Sequence, residues 1–301
     1  MPTLKQYVIA TRPWSFSMSV ISVLMGTLLA SERGDLRSIQ WGWFALVAVG
    51  IVLMHAGGNL LNDYFDSRNK VDQPDAPTAQ YRPHPIMSGM MSMRALLTEA
   101  LLLIALAGLC GLALAVFRTP HVYWICGVGL LLGFFYTGWP IGYKYRALGE
   151  LGIFGIWGPL MFQGAYAVQR QELSLKALLA SVPFGILVAL VLFANNMRDI
   201  EHDARSGVRT LGTIMGQRGS LYAYGILMLS AYAYVGVAVA LGLLSPWLLV
   251  VLVSLPMALG LLRGFVKKGV PEAADAVTAK LDTMFGLLFV VGLVLDWTLG
   301  R

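Results

Sequence analysis

The sequence predicts an all-α polytopic membrane protein with about nine transmembrane helices, and three observations lead to this fold class. Hydrophobic residues make up 57% of the 301 positions and charged residues only 13%, whereas soluble domains carry about 25% charged residues. Apolar stretches of about 17 to 25 residues, long enough to cross a bilayer as a helix, recur along the chain. Inside a bilayer the backbone must satisfy its own hydrogen bonds, which favours helices for these stretches.

Nine apolar stretches account for most of the chain. In order, they cover residues 14–30, 41–61, 95–116, 121–137, 149–168, 177–196, 220–240, 244–262 and 280–299. The first residues lack the short apolar core and the cleavage site of a signal peptide, so we expect the first stretch to remain as an anchor. The chain is therefore predicted to form a single membrane domain over residues 1–301.

The basic residues predict the orientation of these helices. With nine spans, the N-terminus and every second connection share one side of the membrane, and that side receives sixteen of the 22 Lys and Arg residues. The connections on the other side receive Arg33, Arg37, Arg118, Arg170 and Lys176. By the positive-inside rule, we expect a cytoplasmic N-terminus and a C-terminus outside, and for a bacterial source the membrane would be the inner or plasma membrane of the cell.

Cysteine and histidine predict neither a disulfide framework nor a metal centre. Cys110 and Cys126 both fall within apolar stretches, and two such residues define no disulfide pattern. The four histidines are too scattered in the sequence for a histidine metal site, so we interpret each as structural. They are His55, His84, His121 and His202.

Two polar motifs repeat at the ends of the second and sixth apolar stretches. The first is HAGGNLLNDYFDSRNKVDQPD at 55–75, and the second is FANNMRDIEHDARSG at 193–207. Because residues four apart share one face of a helix, each motif presents a stripe of side-chain oxygens. The stripes align Asn59 with Asp63, Asn62 with Asp66, and Asn195 with Asp199 and Asp203. We expect an internal repeat, with its motifs at 59–72 and 195–203 facing each other across a cytoplasmic-side cavity.

Two facing carboxylate stripes suit a hard divalent cation. Mg²⁺ takes oxygen ligands and is usually held by one or two carboxylates together with substrate phosphates. The alternative is a set of solvated charges beyond helix ends, but two matched copies favour a functional site. Nearby basic residues can neutralise phosphate oxygens that the metal leaves exposed; they are Arg68, Lys70, Lys144, Arg198, Arg205 and Arg209.

A diphosphate site inside a membrane protein indicates a lipid substrate, and a polyprenyl diphosphate supplies both a polar head and an apolar tail. Mg²⁺ would stabilise the departing diphosphate, and aromatic faces could stabilise the allylic cation that remains. Aromatic residues near the ends of the second and fourth stretches suit this role, although an interfacial aromatic belt would also contain them. We assign Tyr136, Tyr143, Asn59 and Asn195 to the carbocation or acceptor pocket.

Five segments resemble the UbiA superfamily of intramembrane prenyltransferases. They are RPWSFSMSVISVLMG (12–26), NDYFDSRNKVD (62–72), HPIMSG (84–89), FFYTGWPIGYKYRALGELGIFGIWGPLMFQGAYAVQ (134–169) and NNMRDIEHDARSGVRTLGTIMG (195–216). The two Asp motifs carry the resemblance to the superfamily. The fourth segment and the form NNMRD resemble the MenA branch, which prenylates 1,4-dihydroxy-2-naphthoate in menaquinone biosynthesis.

The resemblance implies nine helices around a central cavity with a cytoplasmic-side cap, and Mg²⁺ as the cofactor. We expect the cap to consist of short helices in the connections after the second and sixth stretches. It makes Asp66, Asp199 and Asp203 catalytic, and it assigns the metal, through the diphosphate, to Asn62, Asp63, Asp66, Asp199 and Asp203. Asp72 is a further candidate for the metal. For the diphosphate it implies contact with Lys144, joined by Arg68, Arg198 and Arg209. Lys70 departs from the pattern, because related sequences tend to have Gly there, and the segment 73–83 differs as well.

The leading hypothesis is therefore transfer of a polyprenyl group to a small aromatic acceptor. Other acceptors, such as hydroxybenzoate, homogentisate or a glycerol phosphate ether, stay open, as does terpene cyclisation without an acceptor. A transporter of a phosphorylated lipid or a divalent ion is the alternative from another class. Nucleic acid is not an expected partner, and no general base is chosen between Glu150, Glu201 and the tyrosines.

Overall fold

The computed structural model describes residues 2–31, 36–73 and 83–299. Along the chain, its helices follow the predicted apolar stretches in order. They are α1 (Leu4–Ala10), α2 (Phe16–Leu29), α3 (Trp41–Arg68), α4 (Met93–Phe117), α5 (His121–Thr137), α6 (Gly149–Arg170), α7 (Leu175–Arg198), α8 (Ile200–Arg205), α9 (Leu211–Ala240), α10 (Pro246–Lys268) and α11 (Ala274–Leu299).

Seven helices of the described chain are long and apolar enough to cross a membrane, namely α3, α4, α6, α7, α9, α10 and α11. The segments Leu4–Ala10 and Pro13–Leu29 pass the same test together, as one span bent by 41°. Helix α5 is apolar but has only 17 residues. Each predicted stretch thus coincides with a helical segment. The all-helical membrane fold is confirmed, and the count of nine includes one bent and one short helix.

The ends and breaks of the helices follow from local chemistry. Helix α1 stops before Pro13, which lacks a backbone N–H, and Arg12 between the two helices adopts a left-handed conformation with φ 58°. Helix α6 contains a π-helical segment at Ile156–Leu160 with Pro159 inside it. Helices α4, α7 and α9 begin at side-chain caps that accept hydrogen bonds from the free N–H groups of the first turn; the caps are Ser92, Ser174 and Thr210.

Helix α7 is the most buried of the spanning helices and lies at the centre of the main core. Its Phe184 packs with Phe162 of α6 and with the backbone of Gly286 in α11. Helix α3 pairs with α4 beside this core, and Gly57 lets the two backbones approach because a side chain there would meet Ile104. Helices α2, α6 and α7 pack against one another, and together with α3 they enclose the cavity described below.

Hydrogen bonds tie alternate connections together at opposite ends of the protein. At one end, Ala147 N–H donates to the carbonyl of Arg209 at 2.7 Å, and His202 Nε2 lies 2.9 Å from the carbonyl of Val71. At the other end, the side chain of Gln169 exchanges hydrogen bonds with the backbone of Gln40. Successive spans therefore run in alternating directions, and both Asp motifs lie at the first of these two ends.

Candidate active site

A cavity of about 580 Å³ lies among helices α2 to α8 and the start of α11. Apolar side chains such as Leu114, Val188 and Leu192 form most of its wall. Side chains from both Asp motifs line the end near α8, together with Lys144; those of the motifs include Asn62, Asp66, Asp72, Asp199 and Asp203. The cavity thus has one polar end and a long apolar remainder.

Asp66 is the centre of the first motif. Its carboxylate is almost fully buried, and its Oδ2 accepts hydrogen bonds from Lys144 Nζ at 2.5 Å and from Asn62 Nδ2 at 2.9 Å. The other oxygen, Oδ1, accepts from the hydroxyl of Tyr145 at 2.6 Å. Lys144 also donates to Asn62 Oδ1 at 3.1 Å. The first predicted metal pair and the predicted phosphate-binding lysine are therefore direct neighbours.

Lys144 lies in the connection between α5 and α6, where its ammonium group is fixed beside aromatic rings. Its Nζ is 5.8 Å from the ring centre of Tyr136 and 5.7 Å from that of Tyr145. Burial acts to lower the pKa of Lys144, but the charges around it, Asp66 first among them, outweigh burial and raise the pKa. Lys144 is therefore a permanent positive charge at the polar end of the cavity.

Asp63 occupies a different face of α3 from Asp66. It is fully buried, pairs with the guanidinium of Arg12, and is not part of the cavity wall. One oxygen lies 3.9 Å from His84 Nε2, and the same nitrogen is 2.8 Å from Asp72 Oδ2. Asp63, Asp72 and His84 are thus close enough together for a metal ion.

Hydrogen bonds to His84 favour a structural role for this cluster. Nδ1 of His84 accepts from the backbone N–H groups of Ile86 and Met87, which places the ring proton on Nε2, where it is donated to Asp72. Burial acts to raise the pKa of Asp72, but the hydrogen bond from His84 and the charge of Lys144 lower it. Asp63 Oδ1 thus already pairs with Arg12, and Asp72 Oδ2 already receives the His84 proton.

The departure at Lys70 has a conformational explanation. Lys70 follows the last turn of α3 and has φ 56°, in the left-handed region that favours glycine. The backbone N–H groups of Val71 and Asp72 both donate to the carbonyl of Asp66, so this turn returns the chain towards the cavity. A glycine in related sequences would adopt the same turn without strain.

In the second motif, Asp199 is held by Arg198. The guanidinium donates from Nε to Asp199 Oδ1 and from Nη2 to Oδ2, both at 2.7 Å. Nη2 also donates to Asn195 Oδ1 at 2.7 Å, and Nη1 donates to the carbonyl of Glu272 at 3.0 Å. Arg198 therefore joins α7 to the connection before α11 and positions Asp199 and Asn195, both of which line the cavity.

Asp203 lies in the short helix α8 and is buried at the polar end of the cavity. The only hydrogen bond it receives from a side chain in the described part of the chain comes from the hydroxyl of Thr210, at 3.5 Å. Burial, and then the charge of Asp199, raise the pKa of Asp203 to about 7. This excess of negative charge is what a bound cation would relieve, so the oxygen donors of the two motifs fit Mg²⁺.

The remaining predicted residues fall into two groups. Tyr136, Tyr143 and Asn59 line the cavity, and Asn59 also donates to the carbonyl of Thr11, which supports the bend before α2. Arg68 and Arg209 are exposed and are not part of the wall of this cavity. Arg68 instead borders a separate cavity of about 560 Å³.

A chain of hydrogen bonds around His55 was not anticipated. Trp157 Nε1 donates to Ser19 Oγ at 3.0 Å, and Ser19 Oγ lies 2.7 Å from His55 Nδ1. The Ser15 hydroxyl donates to the carbonyl of Arg12, so Ser15 Oγ accepts from Nε2–H of His55 at 3.2 Å. Nδ1 of His55 is then the acceptor of the Ser19 hydroxyl. The sequence spacing could have indicated that His55 lines the cavity, because it lies one helical turn before Asn59 on the same face of α3.

The sequence is similar to proteins of one known family over almost its whole length. The model of the UbiA prenyltransferase family matches residues 19–294. UbiA prenyltransferase domain-containing protein 1 of Xenopus tropicalis is 32% identical over 292 residues, which cover 96% of this chain and 81% of that protein. The 1,4-dihydroxy-2-naphthoate octaprenyltransferase of Bacillus subtilis is 29% identical over 290 residues, which cover 95% and 91%.

Solved structures share the fold. A UbiA homolog from Archaeoglobus fulgidus, bound to GPP and Mg²⁺, superimposes with a TM-score of 0.65 at 15% sequence identity. The similarity covers 95% of this chain and 98% of that one.

Proposed function

Since the chain belongs to the UbiA prenyltransferase family, we propose that it transfers a polyprenyl group from a polyprenyl diphosphate to 1,4-dihydroxy-2-naphthoate, with Mg²⁺ as cofactor. Membership makes the protein a prenyltransferase, which decides between the enzyme and the transporter hypotheses. The observation that carries the proposal is the single cavity that joins both Asp motifs and Lys144 to a long apolar wall. A lipid diphosphate requires both of these environments.

The polar end of the cavity would bind the diphosphate. Asn62, Asp66, Asp199 and Asp203 would hold Mg²⁺, which when bound acts as a Lewis acid on the leaving group. Lys144 lies against Asp66 and can neutralise phosphate oxygens as a point charge. We propose that the two motifs are copies of one repeated unit, which is supported by their equivalent positions at the ends of α3 and α7.

The apolar wall of the cavity would contact the prenyl chain. Side chains such as Ile153, Val188 and Leu192 bound the cavity beyond the carboxylates and would keep water from the allylic cation. The ring of Tyr136 faces the same cavity near Lys144, where an aromatic face can stabilise developing positive charge beside the leaving group.

The choice of acceptor is supported by the Bacillus subtilis relative, whose name specifies 1,4-dihydroxy-2-naphthoate and which aligns over nearly the whole chain. The segment from Tyr136 to Gln169 that resembles the MenA branch contributes Tyr143, Lys144 and Trp157 to the cavity wall. Hydroxybenzoate, homogentisate and a glycerol phosphate ether are the competing acceptors, and cyclisation needs no acceptor.

The test is an assay of the purified protein with a polyprenyl diphosphate and each acceptor in turn. We expect diphosphate release that requires both Mg²⁺ and 1,4-dihydroxy-2-naphthoate, stops on chelation of the metal, and yields a prenylated product identified by mass spectrometry. Prenylation of a competing acceptor alone would overturn the acceptor assignment. Release of diphosphate with a cyclic hydrocarbon product would overturn the transfer reaction.

A further inference from the structure

Glu150 and Asn196 form a buried side-chain pair for which the proposed function so far has no role. Asn196 Nδ2 donates to Glu150 Oε1 at 2.9 Å, which joins the first turn of α6 to the end of α7. Both side chains are buried, but Asn196 belongs to the cavity wall and Glu150 lies behind it. Glu150 therefore reaches the cavity through Asn196.

The partner decides which end of the Asn196 amide faces the cavity. A carboxylate only accepts hydrogen bonds, so it binds the NH₂ group of the amide and turns the carbonyl oxygen away from itself. In the structure Asn196 Nδ2 is the donor and Glu150 Oε1 the acceptor, at 2.9 Å. In the described part of the chain, Asn196 Oδ1 has no protein donor and is not enclosed, so it is the acceptor atom presented to the cavity.

The location of Asn196 indicates what this oxygen meets. One turn before it on α7, Leu192 belongs to the apolar wall, and one turn after it Asp199 belongs to the polar end. Asn196 therefore marks the boundary where the reacting carbon of a prenyl diphosphate and the ring of its acceptor must come together. At this boundary an oxygen acceptor suits a hydroxyl group of the aromatic ring.

The pair is also costly to maintain. Glu150 Oε2 is buried without a hydrogen-bond partner in the described residues. An unsatisfied carboxylate oxygen in the interior destabilises the fold, and a buried polar pair is commonly no more stable than an apolar replacement of similar volume. A role in packing alone would not require a carboxylate here.

We propose that Glu150 is a positioning residue that fixes the Asn196 amide so that its carbonyl oxygen accepts a hydrogen bond from a hydroxyl of the aromatic acceptor. This role rests on the proposed function, because it requires a hydroxylated acceptor. The hydrogen bond orients the ring so that its nucleophilic carbon faces the allylic carbon of the donor. Without Glu150, the amide rotates freely and can present its NH₂ group instead.

The experiment measures steady-state kinetics for Glu150→Leu, Glu150→Gln and Asn196→Ala, with donor and acceptor varied separately. Glu150→Leu and Asn196→Ala are each expected to raise the acceptor KM about tenfold, as for the loss of one hydrogen bond, with the donor KM within about twofold. Glu150→Gln keeps an oxygen that can accept from Asn196 and should fall between wild type and Glu150→Leu. In the Asn196→Ala background, either change at Glu150 should have no further effect on the acceptor KM.

Glu99→Leu is the matched control, because Glu99 also has a buried carboxylate oxygen without a partner but belongs to α4 and not to the cavity wall. Its acceptor KM should equal that of wild type. Equal changes in both substrate KM values, or a change only in the donor and Mg²⁺ dependence, would overturn the inference. If Glu150→Leu does not fold, the inference is tested with Glu150→Gln, Asn196→Ala and their double variant, for which the same results are expected.

Wild-type turnover separates this inference from the proposed function. All variants are assayed with the hydroxylated acceptor that wild type uses best, whether or not that is the naphthoate. Turnover by wild type without an effect of Glu150 on the acceptor KM overturns the inference alone. If wild type prenylates no aromatic acceptor, both the inference and the proposed function are wrong.

Discussion

Lys144 and Asp66 form a buried ion pair at the polar end of the cavity, with Nζ and Oδ2 2.5 Å apart. The desolvation of two charges offsets most of the attraction between them, so such a pair adds little net stability. It does keep a cation and an oxygen ligand together at the place where a diphosphate would bind. Single side chains here should therefore affect substrate binding and catalysis more than folding.

We predict that Lys144→Met raises the KM for the polyprenyl diphosphate by about 10- to 100-fold, the loss of one charge-assisted hydrogen bond. The acceptor KM should change little, because Lys144 meets the donor as a point charge. Steady-state kinetics with each substrate varied in turn measure both values. Lys176→Met, at an exposed position in the first turn of α7, is the control and should behave as wild type. A change confined to the acceptor KM would place Lys144 in the other pocket.

We predict that Asp66→Asn and Asp199→Asn each lower turnover about 100-fold or more, since an amide keeps one oxygen but loses the charge that holds the metal. The double variant should lose much less than the product of the two effects, because groups that act as one unit are not additive. Raising Mg²⁺ should rescue each single variant only in part.

Diphosphate release across a Mg²⁺ titration measures these effects, and thermal unfolding is followed alongside. The melting temperatures should stay close to wild type. Near-normal turnover in either single variant would contradict the metal-bridged diphosphate, and unfolded variants would return the carboxylates to a structural role.

Helical spacing predicted part of the site at the level of residues. The four-residue repeat placed Asn59, Asn62, Asp66, Asn195 and Asp199 on cavity-facing stripes, and all of them line the cavity. The same spacing could not separate Asp63 from its neighbours, because a helix turns about 100° per residue and the pairing with Arg12 depends on a contact 51 positions away in sequence. For the same reason, the Glu150 and Asn196 pair was not visible in the sequence.

At the scale of elements, α2 packs against α6 with almost no space between the backbones. A Cβ atom added at Gly26 would lie 2.6 Å from the carbonyl oxygen of Phe162 and 2.9 Å from its Cα atom. Backbone atoms cannot move aside as a flexible side chain can, so the two helices would have to separate. Small residues at helix interfaces are what membrane helices use for such close approach.

We predict that Gly26→Ala destabilises the protein by about 1–3 kcal/mol, the usual cost of overpacking a tight interface. Thermal unfolding in detergent, followed by the loss of the monodisperse peak in size-exclusion chromatography, measures the effect. Gly108→Ala in α4 is the control, because its added Cβ would have nothing within 4 Å. Equal melting temperatures for the two variants would mean that the α2 and α6 interface is looser than described.

Hydropathy predicted where the helices lie but not how they are broken. It counts apolar residues, so it found the nine stretches, whereas the bend at Arg12 and the π-helical segment of α6 depend on backbone geometry. Of the two expected cap helices, α8 is present after α7. The connection after α3 was expected to hold the other, but its Pro74 and Pro77 lie outside the described residues.

At the scale of the whole molecule, four connections meet at the end that carries both Asp motifs. The contacts of Ala147 with Arg209, of His202 with Val71 and of Arg198 with Glu272 join the connections after α3, α5, α7 and α10. These are the connections that the sequence assigned to the side rich in Lys and Arg. Structure and charge pattern therefore agree on which loops lie together, and the charge pattern alone predicts that they face the cytoplasm.

We predict that this end of the protein faces the cytoplasm, because basic residues next to membrane spans are retained on that side. The sequence assigns sixteen of the 22 Lys and Arg residues to this side, in the N-terminus, in the four connections or at the helix ends next to them. A fluorescent protein that folds only in the cytoplasm should be active when fused after Gln73 or Lys268. Alkaline phosphatase, which is active only outside, should work after Gln171 or Arg301.

The two fusions of each kind control for each other, since they follow different numbers of spans. Phosphatase activity at Gln73 together with fluorescence at Gln171 would mean that the protein is inverted, and opposite results at Gln171 and Arg301 would mean that one of the last four spans does not cross the membrane.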